Sequence, residues 1–223
     1  MIRQVVVAAG GKGTRLGALA QKYGNKSLVP IRGLPVLSYT IEWLKEVGIR
    51  EIIVAVNYVH EYRKIEKLFG DDPRIKMVHG KRRTSSAQCL PPLRRILDLR
   101  FLFVYGHAPA PPGHLRNLLS VAEDGIVVSL YPTTTQGEMR KPARLSGRIV
   151  TLEESGPLFV EPPHVLTLEF ARLLQKTGSW GASFRKYQGR ILGVRAQHPP
   201  EFHYKRDFMA FQRFMVEFLR KKK

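Results

Sequence analysis

The chain lacks the features of a secreted or membrane protein. It has one cysteine, Cys89, so it can form no intramolecular disulfide. It has no run approaching the 18 or so apolar residues of a membrane-spanning helix, and its N-terminus enters an apolar strand without a charged leader or cleavage site. We therefore expect a soluble, cytoplasmic protein with no membrane partner.

Acidic residues are also scarce. Asp and Glu number 18 against 37 Lys and Arg, which gives a net charge of +19 and a field that attracts polyanions. Compact basic runs occur only at residues 81–83 and 221–223, and neither is interleaved with the aromatics of an RNA-binding motif. We expect anionic nucleotides as ligands and no nucleic acid. The charge alone keeps a role as an RNA-associated protein as a further hypothesis. The composition is also compatible with a thermophilic source.

A glycine-rich, basic loop follows the first apolar segment. Residues 2–9 have the β-branched pattern of a buried parallel strand. Gly10, Gly11 and Gly13 come next, and glycines leave backbone N–H groups accessible to a polyphosphate. Three nearby cations could balance its charge: Lys12, Arg15 and Lys26. The sequence predicts a phosphate-binding loop here.

Two common phosphate loops are excluded. A Walker loop needs Gly, four residues and then Gly-Lys-Ser/Thr, and the chain has no such string. A dinucleotide fingerprint needs a glycine three residues after Gly13, where Leu16 stands, and an acidic residue after the second strand, which ends in Val56 and Asn57. We therefore expect no NAD or FAD site.

The loop resembles the signature of the nucleotidyltransferases that activate sugar phosphates and similar alcohol phosphates. Residues 10–16 match its Gly-Gly-x-Gly-Thr-Arg-Leu element completely, and residues 25–30 match its Pro-Lys-x-Leu-x-Pro element with Asn25 in place of proline. Residues 31–57 look like the family's next segment. The resemblance implies transfer of a nucleoside monophosphate from an NTP to a small phosphorylated acceptor, with release of pyrophosphate. The alternative is an inactive homologue that binds nucleotide or sugar phosphate.

The resemblance also implies roles for individual residues. Arg15 and Lys26 would be the catalytic cations, Arg15 on the triphosphate and Lys26 on the α-phosphate and the acceptor phosphate. Glu154 would contact the acceptor. The implied nucleotide contacts are Ala8, Ala9, Gly10, Gly11, Gly13, Thr14, Ser85, Ser86 and Gln88.

The implied metal site departs from the family pattern. Relatives bridge the phosphates with a divalent cation, usually Mg²⁺, held by two aspartates, whereas this chain has His107 and His203 at the expected places. Imidazole favours Zn²⁺, Mn²⁺ or Co²⁺ over Mg²⁺. Three outcomes are open: the two histidines bind such an ion, Asp207 or Glu154 supplies oxygen ligands, or the protein binds without transferring.

Alternating strands and helices predict the fold class. We expect an α/β, Rossmann-like three-layer sandwich with a mixed, mostly parallel sheet and helices on both faces. One domain would span residues 1–223, with a nucleotide-binding half at 1–110 and an acceptor-binding half at 111–223. The expected strands are 2–9, 51–57, 75–78, 101–105, 125–131 and 190–194, with a hairpin at 143–150. The expected helices are 34–47, 62–69, 87–97, 165–175 and 207–219, the last capped by Asp207.

Overall fold

The computed structural model describes residues 2–11, 13–57, 59–79, 89–121, 123–133, 141–198, 202 and 204–221. The strands in this part of the chain are β1 (Gln4–Ala8), β2 (Pro30–Ile31), β3 (Leu34–Pro35), β4 (Glu51–Val56), β5 (Ile75–His79), β6 (Arg100–Tyr105), β7 (Ile126–Pro132), β8 (Pro142–Ser146), β9 (Ile149–Leu152), β10 (Leu158–Thr167) and β11 (Ile191–Arg195). The helices are α1 (Ala18–Tyr23), α2 (Val36–Glu46), α3 (Val59–Phe69), α4 (Pro112–Leu119), α5 (Leu168–Thr177), α6 (Trp180–Lys186) and α7 (Lys205–Lys221). No helix in these ranges has the length and apolarity needed to cross a bilayer.

Nine strands form one mixed sheet in the order β5-β4-β1-β6-β10-β7-β11-β9-β8. β1 pairs in parallel with β4 and β6, whereas β10 is antiparallel to β6 and β7. β8 pairs with β10 as well as with β9, so the last five strands close on one another. Parallel pairing brings the carboxyl ends of β1, β4 and β6 to one edge, where ligands bind in open α/β sheets.

The two faces of β1 contribute to different cores. Val5 and Val7 pack in a cluster with residues of α2 and α7, whereas Val6 and Ala8 pack in a second cluster with residues of α5 and α6. Such burial on both sides explains the continuous apolar run of β1, because neither face needs polar residues. Helices therefore cover this part of the sheet on both faces.

Several predicted elements are confirmed within a few residues, including β1, α2, β4, α3, β6, β7 and the β8–β9 hairpin. The predicted helix at 87–97 is wrong in its described part, where only a 3-10 turn forms at Pro91–Leu93. Each proline lacks the N–H that an α-helix interior needs. Residues 80–88 lie outside the described residues.

The predicted helix at 165–175 starts too early. Val165, Leu166 and Thr167 are the last residues of β10, a strand that the sequence analysis missed, and they pair with β6. The helix begins only at Leu168, where the Thr167 hydroxyl accepts from the Phe170 N–H as an N-cap. Burial between two strands outweighs helical periodicity here.

The sequence predicted Asp207 as the N-cap of the last helix, and this prediction is wrong. α7 begins at Lys205, so Asp207 lies in the first turn. Its Oδ2 accepts from the Tyr204 N–H at 3.0 Å, the reciprocal half of a capping box. The carboxylate still stabilises the helix start, but from a position two residues inside it.

Candidate nucleotide site

The carboxyl ends of three parallel strands meet around the glycine loop. The Ala9 N–H donates to the Ala55 carbonyl of β4, and the Gly106 N–H donates to the Ala8 carbonyl. Gly106 follows β6, and a Cβ there would lie 3.0 Å from Ser27 Oγ and 3.2 Å from Ala9 Cβ. Glycine at 106 therefore allows the end of β6 to pack against the segment that carries Lys26.

The three loop glycines have different surroundings. Gly13 has φ 63°, in the left-handed region that favours glycine. A Cβ on Gly10 would lie 2.6 Å from Asn57 Cγ, and the Asn57 amide donates to the Gly10 carbonyl at 2.9 Å. At Gly11, however, an added Cβ meets no described atom within 4 Å. Packing and φ thus explain Gly10 and Gly13, while Gly11 borders space that no described atom fills.

Asn25 fixes the second motif against the loop. Its Nδ2 donates to the Ala9 carbonyl at 2.6 Å and to Glu61 Oε2 at 3.0 Å, and its Oδ1 accepts from the Ser27 N–H at 2.7 Å. Its φ of −151° lies far from the −65° that proline requires. This chain therefore replaces the family's proline with a buried asparagine that caps the turn Lys26–Leu28.

The two predicted catalytic cations converge on the segment before α7. The Lys26 ammonium, on a residue that is 8% exposed, donates to the Phe202 carbonyl at 2.9 Å. The guanidinium carbon of Arg15, which is exposed, lies 5.9 Å from the centre of the Tyr204 ring. The Lys26 N–H also donates to the Gly11 carbonyl. The structure thus brings Arg15, Lys26 and the glycine loop together.

The other residues predicted to contact nucleotide or acceptor differ in burial, and some of them are not described. Ala8 and Ala9 are buried at the end of β1, and Thr14 is exposed at the start of a 3-10 turn. Glu154 is exposed on the loop between β9 and β10. Five of the residues that the sequence singled out lie outside the described part of the chain: Lys12, Ser85, Ser86, Gln88 and His203.

The predicted metal position has an unexpected neighbour. His107 Nε2 lies 3.4 Å from the Lys26 ammonium, which has only protons to offer, so the imidazole nitrogen is the acceptor. Asp207, the alternative oxygen ligand, uses Oδ2 to accept from Tyr204. The described residues contain no cluster of three or more His, Cys, Asp or Glu side chains that could hold a metal. The Nε2 lone pair of His107 therefore faces a cation, and the metal role of His107 stays a prediction.

A lysine–glutamate pair that the sequence analysis missed lies at the same edge of the sheet. Lys141 Nζ is 3.0 Å from Glu161 Oε1 and also donates to the Val160 carbonyl, and both charged side chains are about 15% exposed or less. Glu161 pairs in register with Ser129, the middle residue of β7. The sequence analysis could not pair these two residues, because it did not recognise β10, the strand that carries Glu161.

Buried histidines support this edge. His114 Nε2 donates to Ser129 Oγ at 2.8 Å, since the hydroxyl itself donates to the Pro163 carbonyl at 2.6 Å. Burial, with a smaller contribution from His198, lowers the pKa of His114 to about 3. Complete burial lowers the pKa of His164 well below its usual value, with Lys141 adding to the effect. At neutral pH, both imidazoles are uncharged structural groups.

The fold and the loop together define a nucleotidyltransferase-type α/β domain. The structure of the inositol-1-phosphate CTP transferase from T. maritima matches with a TM-score of 0.80 at 15% identity, over 96% of this chain and 95% of that chain. A family model for MobA-like NTP transferase domains matches residues 5–150. The chain belongs to this family.

Two curated relatives match this chain over only part of their own sequences. The chain is 38% identical over 69 residues to D-glycero-alpha-D-manno-heptose 1-phosphate guanylyltransferase of Campylobacter jejuni. The aligned segment covers 31% of this chain and 30% of that protein. The chain is 26% identical over 162 residues to CMP-5'-(3-aminopropyl)phosphonate synthase of Streptomyces rubellomurinus, over 70% of this chain and 24% of that protein. The chain therefore spans less than a third of either relative.

Proposed function

We propose that this protein transfers a nucleoside monophosphate from an NTP to a phosphate or phosphonate oxygen of a small acceptor and releases pyrophosphate. The observation that carries the proposal is the space at Gly11 that no described atom occupies, bordered by the loop that leads to Arg15 and by the segment of the buried Lys26. Residues 1–110 would hold the nucleotide, and residues 111–223 the acceptor. Family membership supports the reaction class.

Nucleotidyl transfer requires the protein to position the two substrates and balance their charge, and it requires no covalent bond to the protein. An acceptor oxygen attacks the α-phosphorus in line, a P–O bond forms, and the bond from the α-phosphorus to the β-phosphate oxygen breaks as pyrophosphate leaves. Arg15 suits a forked contact with the triphosphate, and Lys26 places a compact charge where the two phosphates meet. Held in place by the Phe202 carbonyl, the Lys26 ammonium needs little reorganisation during the reaction.

The acceptor would lie at the carboxyl ends of β7 and β11, beside Glu154, Lys141 and Glu161. The largely buried Lys141–Glu161 pair offers a cation for an acceptor phosphate and a carboxylate for a hydroxyl or amine. The relatives' names suggest three acceptors to try: a heptose 1-phosphate, inositol 1-phosphate and 3-aminopropylphosphonate. A sugar phosphate or similar polyol phosphate is the class we propose.

A substrate matrix tests the proposal. Each of four NTPs is incubated with each acceptor, with Mg²⁺, with Mn²⁺ and with EDTA, and both pyrophosphate and the nucleotide-linked product are measured. We expect product with at least one pair, and a loss of 100-fold or more in Lys26→Met, as for removal of one preorganised charge-stabilising group. Lys22→Met, which removes a lysine of α1 outside the site, is the matched control. NTP binding without any transfer would support the alternative, an inactive nucleotide-binding homologue.

A further inference from the structure

His107 is placed by its neighbours on both sides. Its ring stacks on Tyr105 with centroids 5.4 Å apart and planes at 12°, and it meets the Phe202 ring edge-on at 5.6 Å. A Cβ on Gly106 would lie only 3.0 Å from Ser27 Oγ, so glycine there lets His107 follow β6 close to the Lys26 turn. The imidazole is therefore held with Nε2 towards the Lys26 ammonium.

That contact competes directly with metal binding. A metal bound to imidazole lies about 2 Å from the nitrogen, along the lone pair that accepts the hydrogen bond. Lys26 Nζ is 3.4 Å from the same nitrogen and 2.9 Å from the Phe202 carbonyl. An ion on Nε2 would have to displace the ammonium or lie against a second positive charge. The two functions of this nitrogen exclude each other.

We infer that His107 is a positioning residue for Lys26 and that its Nε2 is not a metal ligand. His107 Nε2 and the Phe202 carbonyl both contact the ammonium, so that the lysine supplies a fixed positive charge at this end of β6. The inference rests on the proposed function for what Lys26 acts upon. The contact itself and its exclusion of a metal are independent of any transfer activity.

Metal binding separates the two roles without requiring catalysis. Mn²⁺ affinity is measured by electron paramagnetic resonance on the wild type, His107→Phe, which keeps the ring and removes the acceptor, and His107→Asp, which introduces a carboxylate. We expect wild type and His107→Phe to agree within threefold and His107→Asp to bind at least tenfold more tightly, because carboxylate oxygens suit Mn²⁺. A tenfold or greater loss in His107→Phe would overturn the inference.

Transfer kinetics test the positioning role. In His107→Phe we expect kcat to fall about 30-fold with KM for the NTP changed by less than threefold. His107→Asn, whose amide oxygen can accept from the ammonium, should recover kcat to within fivefold of wild type. Equal losses in the two variants, or none in His107→Phe, would contradict the positioning role. Absence of transfer by the wild type would instead count against the proposed function, and the Mn²⁺ comparison would still decide the inference.

Discussion

A methyl group at Gly11 should separate binding from folding. The Cβ of Gly11→Ala would meet no described atom within 4 Å, and the residue does not lie in the left-handed region. Alanine should therefore leave stability unchanged or raise it by about 0.4–1 kcal/mol, because it restricts the unfolded chain. The described part of the folded protein therefore gives no reason for glycine at this position.

A bound triphosphate would give that reason. The methyl group would occupy the space through which phosphate oxygens approach the backbone of the loop. Loss of one hydrogen bond to a charged group costs about 1.5–3 kcal/mol, which corresponds to roughly 10- to 150-fold weaker NTP binding. Affinity is measured by isothermal titration with a non-hydrolysable NTP analogue, and stability by urea unfolding.

Gly10→Ala is the matched control, because it should show the opposite behaviour. Its methyl group would lie 2.6 Å from Asn57 Cγ and disturb the Asn57 contact with the Gly10 carbonyl. We expect a loss of stability of about 1–3 kcal/mol, typical of overpacking. A stable Gly11→Ala protein that bound NTP with wild-type affinity would refute the placement of the triphosphate at this loop.

Three further predictions concern stability. Because the His114 pKa is lowered to about 3 in the folded state, unfolding takes up a proton below pH 6.5, and we expect about 2 kcal/mol of stability to be lost between pH 7 and pH 5. Urea unfolding of His114→Gln should show a flatter pH dependence there; an unchanged slope would contradict this. Asn25→Ala should cost about 2–4 kcal/mol in the same assay, since it removes three buried hydrogen bonds; a change below 1 kcal/mol would contradict it. Hydrogen bonds from Arg74, then Lys45, lower the pKa of Asp72, so this carboxylate stabilises the fold above pH 4 and loses the effect in acid. Asp72→Asn should remove on the order of 1 kcal/mol at pH 7 and less at pH 2, and equal losses at both pH values would count against the ion pair.

Continuous apolar runs bounded by glycine and proline predicted most of the parallel strands. β1, β4 and β6 are buried on both faces, so their sequences carry the signal locally. β10 was missed because Pro162 and Pro163 interrupt it and its last residues continue into a helix with helical spacing. Its pairing partners are distant in the sequence, and a pattern of residues does not show which distant strand will accept a segment.

The sequence alone determined the glycine loop, its cations and the family they indicate, because backbone freedom and charge are properties of adjacent residues. Tertiary structure decided what those cations touch. Lys26 meets the Phe202 carbonyl 176 residues away and His107 81 residues away. The Lys141–Glu161 pair likewise exists only because β10 lies beside β8. Such contacts depend on the order of strands in the sheet, and only the packed sheet fixes that order.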